Sequence, residues 1–247
     1  MISIVLGNVG SGKTASAVRF MRANPHKTFI TNIDTKGKEF SHVIKLKAEN
    51  IIKKEIISTK KDGTHNYKLK LNIEFWKELI KKYDSVSVLI DESHIFFNPR
   101  RSMSSLNIVM SDFLALLRRV LGSADGSGQL ILITQLSRRL DIIAKEMATD
   151  VSYCVHHFKM NCNKCGAYWY ETNETADKMY NCPRCNSYNL KRSDSIIETY
   201  KFTNIDGFEA WFNHKAKTYY KRFMITDIHE IFGNYETLQF NDLFSDY

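Results

Sequence analysis

Three short runs carry residues able to do chemistry: GNVGSGKT at 7–14, VLIDE at 88–92, and a Cys-x2-Cys pair at 162–165 that recurs at 182–185. In the first run, Gly7, Gly10 and Gly12 free the backbone to fold its N–H groups toward one point. Asn8, Val9 and Ser11 complete the turn, Lys13 adds a cation and Thr14 a hydroxyl. That set suits the phosphates of a nucleotide. The lysine reaches the β and γ oxygens, the threonine can hold Mg2+, and the dipole of a following helix adds a positive end. The expected ligands are ATP and Mg2+. The elements around the turn must be a buried strand before it and a helix after it, and the flanking ISIVL and ASAVRFMRA provide that context.

The run VSVLI at 86–90 is strand-like and ends in Asp91 and Glu92. Two ionised carboxylates at the end of a buried strand cost desolvation unless something compensates. Asp91 beside Mg2+ supplies that compensation, and Glu92 is then placed to deprotonate a water that attacks the γ-phosphate. A glutamate in this position suits hydrolysis, but some nucleoside kinases carry one too, so both chemistries stay open at this point. A third apolar strand, LILIT at 130–134, delivers Gln135. In a parallel sheet functional groups gather at the carboxyl ends of strands. Gln135 is therefore expected on the same rim, where its amide can bond both the γ-phosphate and the attacking water.

GNVGSGKT, VLIDESH and LILITQ, in that order, resemble the FtsK–HerA superfamily of P-loop motors. The phrases DESHIFFNPR and LITQLSRRLDIIAKEMATDVSY resemble in particular viral DNA-packaging ATPases and Zot-like assembly ATPases, over about residues 1–158. The resemblance implies an ATPase that moves double-stranded DNA as a homo-oligomeric ring, usually a hexamer, docked on a capsid or portal-type protein. It carries Walker A over to residues 7–14, Walker B to Asp91 and Glu92, and the sensor to Gln135. It also implies an arginine finger acting on the neighbouring subunit's site, with Arg119 or Arg118 favoured and Arg100, Arg101, Arg138 and Arg139 as alternatives. A genome-packaging motor is the leading expectation and a Zot-like ATPase of filamentous virion assembly the alternative. Type II thymidine kinases also join a P-loop, an Asp-Glu strand and a zinc ribbon. The glutamine, the basic insert and more than sixty residues after the last cysteine speak against that reading.

Cys162, Cys165, Cys182 and Cys185 have the spacing of two hairpin knuckles, sixteen residues apart, that close a tetrahedral Zn2+ site. Four thiolates leave no open position, so the zinc is expected to be structural. His156 and His157 are expected to face core and solvent. AYWY at 167–170, with Arg184, Lys191 and Arg192, forms ribbon core and surface charge or touches a partner.

The remaining composition sets the frame. Residues 41–82 hold eleven lysines against five acids, whereas 223–247 hold five acids and neither lysine nor arginine. A K-D-G turn at 61–63 predicts a β-hairpin over 51–71. Its Lys53, Lys54, Lys60, Lys61, Lys68 and Lys70 either protect an exposed edge or contact phosphates. Strands are expected at 27–34 and after 193, and helices at 73–83 and over FEAWFNHKAK. FMITDIHEIFGNYETLQF is expected to close the domain. No apolar run reaches the roughly 18–20 residues of a membrane helix, and a soluble protein of the cytoplasm, the host's if viral, is expected. The expected class is α/β: a RecA/ASCE-like P-loop NTPase with a mainly parallel sheet flanked by helices. Residues 1–158 would form the core, 159–190 an inserted zinc ribbon, and 191–247 the completion of the core.

Overall fold

Alternation at the start of the chain decides how the sheet faces. In β1 (Ile2–Leu6), Ile2, Ile4 and Leu6 enter one apolar cluster while Val5 packs against another, as the two-residue period of a strand requires. The computed structural model describes residues 1–61, 63–83, 85–95, 105–121, 128–135, 140, 142–172, 175–226 and 228–236. The side chains of 105–107, 118–120, 143, 194 and 195 lie outside that description.

From β1 the chain passes through α1 (Lys13–Arg22), β2 (Thr28–Thr31), β3 (Val43–Lys45) and the single turn α2 (Ala48–Ile51). A hairpin of β4 (Ile52–Thr59) and β5 (His65–Leu71) precedes α3 (Ile73–Lys82) and β6 (Val86–Ile90). Next come α4 (Ser105–Leu121), β7 (Gln129–Thr134), α5 (Ile142–Glu146) and β8 (Asp150–Cys162). The chain continues with β9 (Tyr168–Thr172), β10 (Leu190–Phe202), α6 (Ile205–His214), β11 (Lys221–Ile225) and α7 (His229–Phe232).

The main sheet runs β11-β10-β8-β1-β7-β6-β2-β3, with β9 added to the far half of β8. From β8 to β3 every pairing is parallel. β10 and β11 extend the sheet antiparallel from β8. Strands covered on both faces need apolar residues throughout, and β6 is buried along its whole length. On one face Trp76 of α3 and Met110, Phe113, Leu114 and Leu117 of α4 cover β1, β6 and β7. On the other, Ala17, Val18 and Met21 of α1 and Ile231 of α7 join Phe29, Leu89 and Ile133. The strand expected at 27–34 is shorter, because the Ile33 N–H turns back to donate to Thr31 Oγ1 at 3.1 Å and the chain leaves the sheet there.

β8 connects two regions. Its first half pairs with β1 through Leu6 and Tyr153, and its second half pairs with β9 and β10 as far as Cys162. Glu198 on β10 ties β8 and β11 together: it accepts from His157 Nε2 at 2.9 Å and from Arg222. The expected hairpin is present, its base seated on the core through Ile52, Leu69 and Leu71. The closing segment forms β11 and α7, with the part beyond 236 outside the described residues. Among the described residues no helix is long and apolar enough to cross a membrane.

Candidate functional site

β1 ends at Leu6 and the chain turns sharply into α1. Gly10 and Gly12 adopt left-handed φ values of 72° and 84°, which an L side chain resists. Close approach excludes side chains at two glycines as well. A Cβ on Gly7 would lie 2.7 Å from the Cys154 carbonyl oxygen, and one on Gly12 2.4 Å from Ile197 Cδ1. Val9, at the crest of the turn, is exposed. Ser11 is buried, and its N–H donates to Asn8 O at 3.1 Å. α1 opens at Lys13 with no capping side chain and no acid in its first turn. Its N-terminal dipole is therefore left to an anion. Lys13 is only 7% exposed, and its Nζ donates to Gly7 O at 2.9 Å and Asn8 O at 2.8 Å. Burial lowers its pKa, against the pull of Asp91 and Glu92. A phosphate would take the place of those carbonyls as partner of the ammonium.

β6 lies two strands from β1, with β7 between them. This order brings Asp91 to the cradle: Thr14 Oγ1 donates to Asp91 Oδ2 at 2.7 Å. Burial raises the Asp91 pKa, while the hydrogen bonds from Thr14 and from the Glu92 N–H (2.8 Å) act the other way. A hydroxyl and a desolvated carboxylate converging beside a phosphate cradle are the oxygen donors Mg2+ prefers. Thr14 and Asp91 thus fit the expected ion.

Asn32, His94 and Tyr235, not singled out in the sequence, belong to this centre, and so does His156, expected there only to face core or solvent. Asn32, just past β2, clamps the Asp91 backbone: its Oδ1 accepts from Asp91 N at 2.8 Å and its Nδ2 donates to Asp91 O at 3.0 Å. Glu92 sits at a left-handed φ of 50° and brings Oε2 within 3.2 Å of His94 Nδ1. The same His94 nitrogen is 3.3 Å from Thr134 Oγ1, and Ser93 Oγ donates to Ile133 O at 2.9 Å. The glutamate's loop is thereby tied to the end of β7. Tyr235 packs nearby, and burial together with the Asp91 charge pushes its phenol up to about 12. His156 of β8 reaches the cradle from the other side, 3.2 Å from Gly10 O. A polar residue at a strand end was the available signal for Asn32; the others come together only through strand register.

Thr134 is in register with Leu6, so Gln135 follows at the level of Gly7, half-buried at the expected rim. Arg118 and Arg119 fall in α4, but their side chains lie outside the described residues, as do Arg100, Arg101, Arg138 and Arg139 altogether. The hairpin lysines divide. Lys53 pairs with Glu74 at 2.9 Å and Lys70 with Glu55 at 2.6 Å, Lys68 stands opposite Glu55 in the register beside Lys54, and Lys60 and Lys61 lie exposed at the turn end, away from those acids.

The four cysteines converge as their spacing implies. All four sulfurs lie within 4.8 Å of one another, with Cys162–Cys185 at 3.6 Å and Cys165–Cys182 at 3.7 Å. A disulfide would hold them about 2.05 Å apart. A tetrahedron of sulfurs about 2.3 Å from a zinc ion places them near 3.8 Å, so the cluster fits Zn2+. The two knuckles repeat each other. Gly166 and Asn186 donate to Cys162 O and Cys182 O at 2.9 Å, both with left-handed φ. Backbone N–H donors at Cys165 and Lys164 bring Cys162 down to about 6. Although the Ser187 N–H favours its thiolate, burial and the three neighbouring sulfurs push Cys185 up to about 12. Crowded thiolates of this kind call for a cation. Arg192, grouped with the ribbon's surface charge, is instead engaged: it pairs with Asp177 and stacks on Phe158, 3.5 Å from the ring centroid.

Comparison with known proteins places this arrangement. The family model described as zonular occludens toxin (Zot) matches residues 1–207. Among solved structures, the chain is similar to the N-terminal domain of zonular occludens toxin from Neisseria meningitidis, at 14% identity and TM-score 0.48, covering 95% of this chain and 98% of that one. It is also similar to B204, the DNA-packaging ATPase of Sulfolobus Turreted Icosahedral Virus, at 16% identity and TM-score 0.37 over 62% of this chain and 74% of that one. A KaiC-like protein of Pyrococcus horikoshii matches at 11% identity and TM-score 0.37, over 78% and 84%. No curated protein matches the sequence.

Proposed function

The chain belongs to the zonular occludens toxin (Zot) family and is built as a P-loop ATPase, and from that premise we propose that it couples ATP hydrolysis to the movement of DNA during virus assembly. The observation that carries the reading is the meeting of Thr14 and Asp91 at 2.7 Å, on the rim where Lys13, Glu92 and Gln135 also stand. In this reading residues 7–14 cradle the phosphates of ATP and Lys13 neutralises the β and γ oxygens. Thr14 and Asp91 hold Mg2+, which when bound offsets the charge on the transferring phosphate. Glu92 takes the proton of the attacking water, with His94 Nδ1 standing 3.2 Å from its carboxylate. Gln135 bonds the γ-phosphate and passes its presence to the segment that follows β7.

A homo-oligomeric ring, taken as a hexamer, completes each site with Arg119 or Arg118 of a neighbouring subunit, and it docks on a capsid or portal-type protein. Residues 1–158 form the ATPase core, 159–190 a zinc ribbon held by Cys162, Cys165, Cys182 and Cys185, and 191–247 the completion of the core. The test is steady-state hydrolysis with and without long double-stranded DNA, for the native chain and Glu92→Gln, with thymidine present as a competing acceptor. Stimulation by DNA that disappears in Glu92→Gln, with nucleotide still bound, is the expected result. Phosphate transferred to thymidine, with no response to DNA, would overturn it in favour of a nucleoside kinase.

A further inference from the structure

We propose that the outer sheet of the ribbon, built from β9, β8 and β10, is a binding platform for single-stranded DNA, on which Tyr168 and Tyr170 each stack one base. The register puts Tyr168, Asn161 and Lys191 in one row and Tyr170, Lys159 and Ser193 in the next, on the same face of three adjacent strands. Tyr168 is 64% and Tyr170 48% exposed, well above what an aromatic ring packed in a ribbon core shows. The opposite face is where the ribbon keeps its own core: Phe158, Met160 and Trp169 lie there under Ala176. The tyrosines are therefore surplus to the packing.

Strand alternation also sorts the charges. Glu171 lies opposite Phe158 on the core side, and Asp177 is held by Arg192 over that side. The two rows that carry the tyrosines bring Lys159 and Lys191 and no acid. The nearest carboxylate farther along this face, Glu198, is buried and engaged by His157 and Arg222. Lys159 Nζ stands 4.9 Å from the centre of the Tyr168 ring, so cation and aromatic surface are presented together. Exposed aromatics interleaved with lysines on an antiparallel sheet are the chemistry that takes unpaired bases and tracks their phosphates.

Spacing selects the single strand. Alternate residues of a β-strand stand about 6.6–6.8 Å apart, roughly twice the 3.4 Å step of stacked bases in a duplex. Each ring can thus take its own splayed base, whereas a duplex keeps its bases covered. The proposal deepens the DNA-translocase reading, and rests on it in choosing DNA over RNA.

The test is fluorescence anisotropy of the full zinc-loaded chain with a labelled oligothymidylate and with a duplex of equal length, without nucleotide. Tyr168→Ala/Tyr170→Ala should weaken binding to the single strand about thirtyfold or more and leave DNA-independent ATP hydrolysis and zinc content unchanged. Tyr168→Phe/Tyr170→Phe should bind as the native chain does, since stacking needs the ring and not the hydroxyl. That pair keeps the test decisive if the alanine variant loses zinc. Single-strand binding indifferent to alanine at both positions, duplex binding weakened by those alanines as much as single-strand binding, or loss of binding in the phenylalanine variant would each overturn the proposal. A protein partner for this face would give the first of these. Hydrolysis absent from a chain that still binds oligothymidylate through the tyrosines would sink the motor reading and leave the platform standing.

Discussion

At the scale of single residues, the centre is organised around one expensive group. Asp91 is a carboxylate whose charge burial opposes, and it is held at the point where Thr14 and the Glu92 N–H both donate to it. Its backbone is fixed separately by the two-point clamp of Asn32. Removing that clamp strands a donor and an acceptor, each costing about 1–3 kcal/mol when buried and unpaired. Asn32→Ala should therefore lower unfolding stability by about 2 kcal/mol, measured by urea denaturation, and reduce the rate of hydrolysis at saturating ATP. An unchanged denaturation midpoint would show that the clamp is dispensable. Lys13, Thr14, Asp91 and Glu92 were legible in the sequence because each sits in a contiguous run whose chemistry is complete within a few residues. Asn32, His94 and His156 were not, because what gives them a role is the register of strands far apart in the chain.

At the scale of elements, β8 matters most. The same thirteen-residue strand pairs with β1 beside the cradle, touches Gly10 through His156, and ends on Cys162. The sequence shows the two knuckles and the strands on either side of them, but not that β8 and β10 remain paired all the way to Leu190 and Cys162. Long antiparallel pairing across an insertion leaves no local signal beyond alternation, which many exposed strands share. Beyond that pairing the ribbon's own core is Phe158, Met160 and Ala176, with Trp169 and Leu190 against it. A cluster this small gives the two knuckles little packing of their own, and in the proposed reading a zinc ion on the four cysteines supplies the rest. Cys182→Ser, or treatment with a zinc chelator, should abolish hydrogen-exchange protection across 163–189 while β1, β6 and β7 keep theirs. Protection of the knuckles surviving metal removal would mean that their packing, not an ion, holds them.

At the scale of the whole molecule, the net charge of +8 draws in any polyanion, and its distribution decides where that polyanion lies. The hairpin concentrates cations, yet its lysines are not equivalent. Lys53 and Lys70 each face an acid, Glu74 and Glu55, at 2.9 and 2.6 Å, so their charge is partly answered within the chain. Lys60 and Lys61 are exposed at the turn end of the hairpin, away from those pairs. A phosphate contact releases counterions and adds about 0.9 to the slope of log affinity against log salt for duplex DNA. If the hairpin lies on the path of the duplex, Lys60→Gln/Lys61→Gln should flatten that slope by about 2, read by anisotropy across a sodium chloride series. Lys53→Gln/Lys70→Gln should flatten it by about half that or less, about 1 at most for the pair, since the charge of each is already partly answered by an acid. Equal effects from both sets would mean that only the overall charge matters. No effect from either would take the hairpin off the path of the duplex and leave its lysines the task of keeping an exposed sheet edge from pairing with another chain.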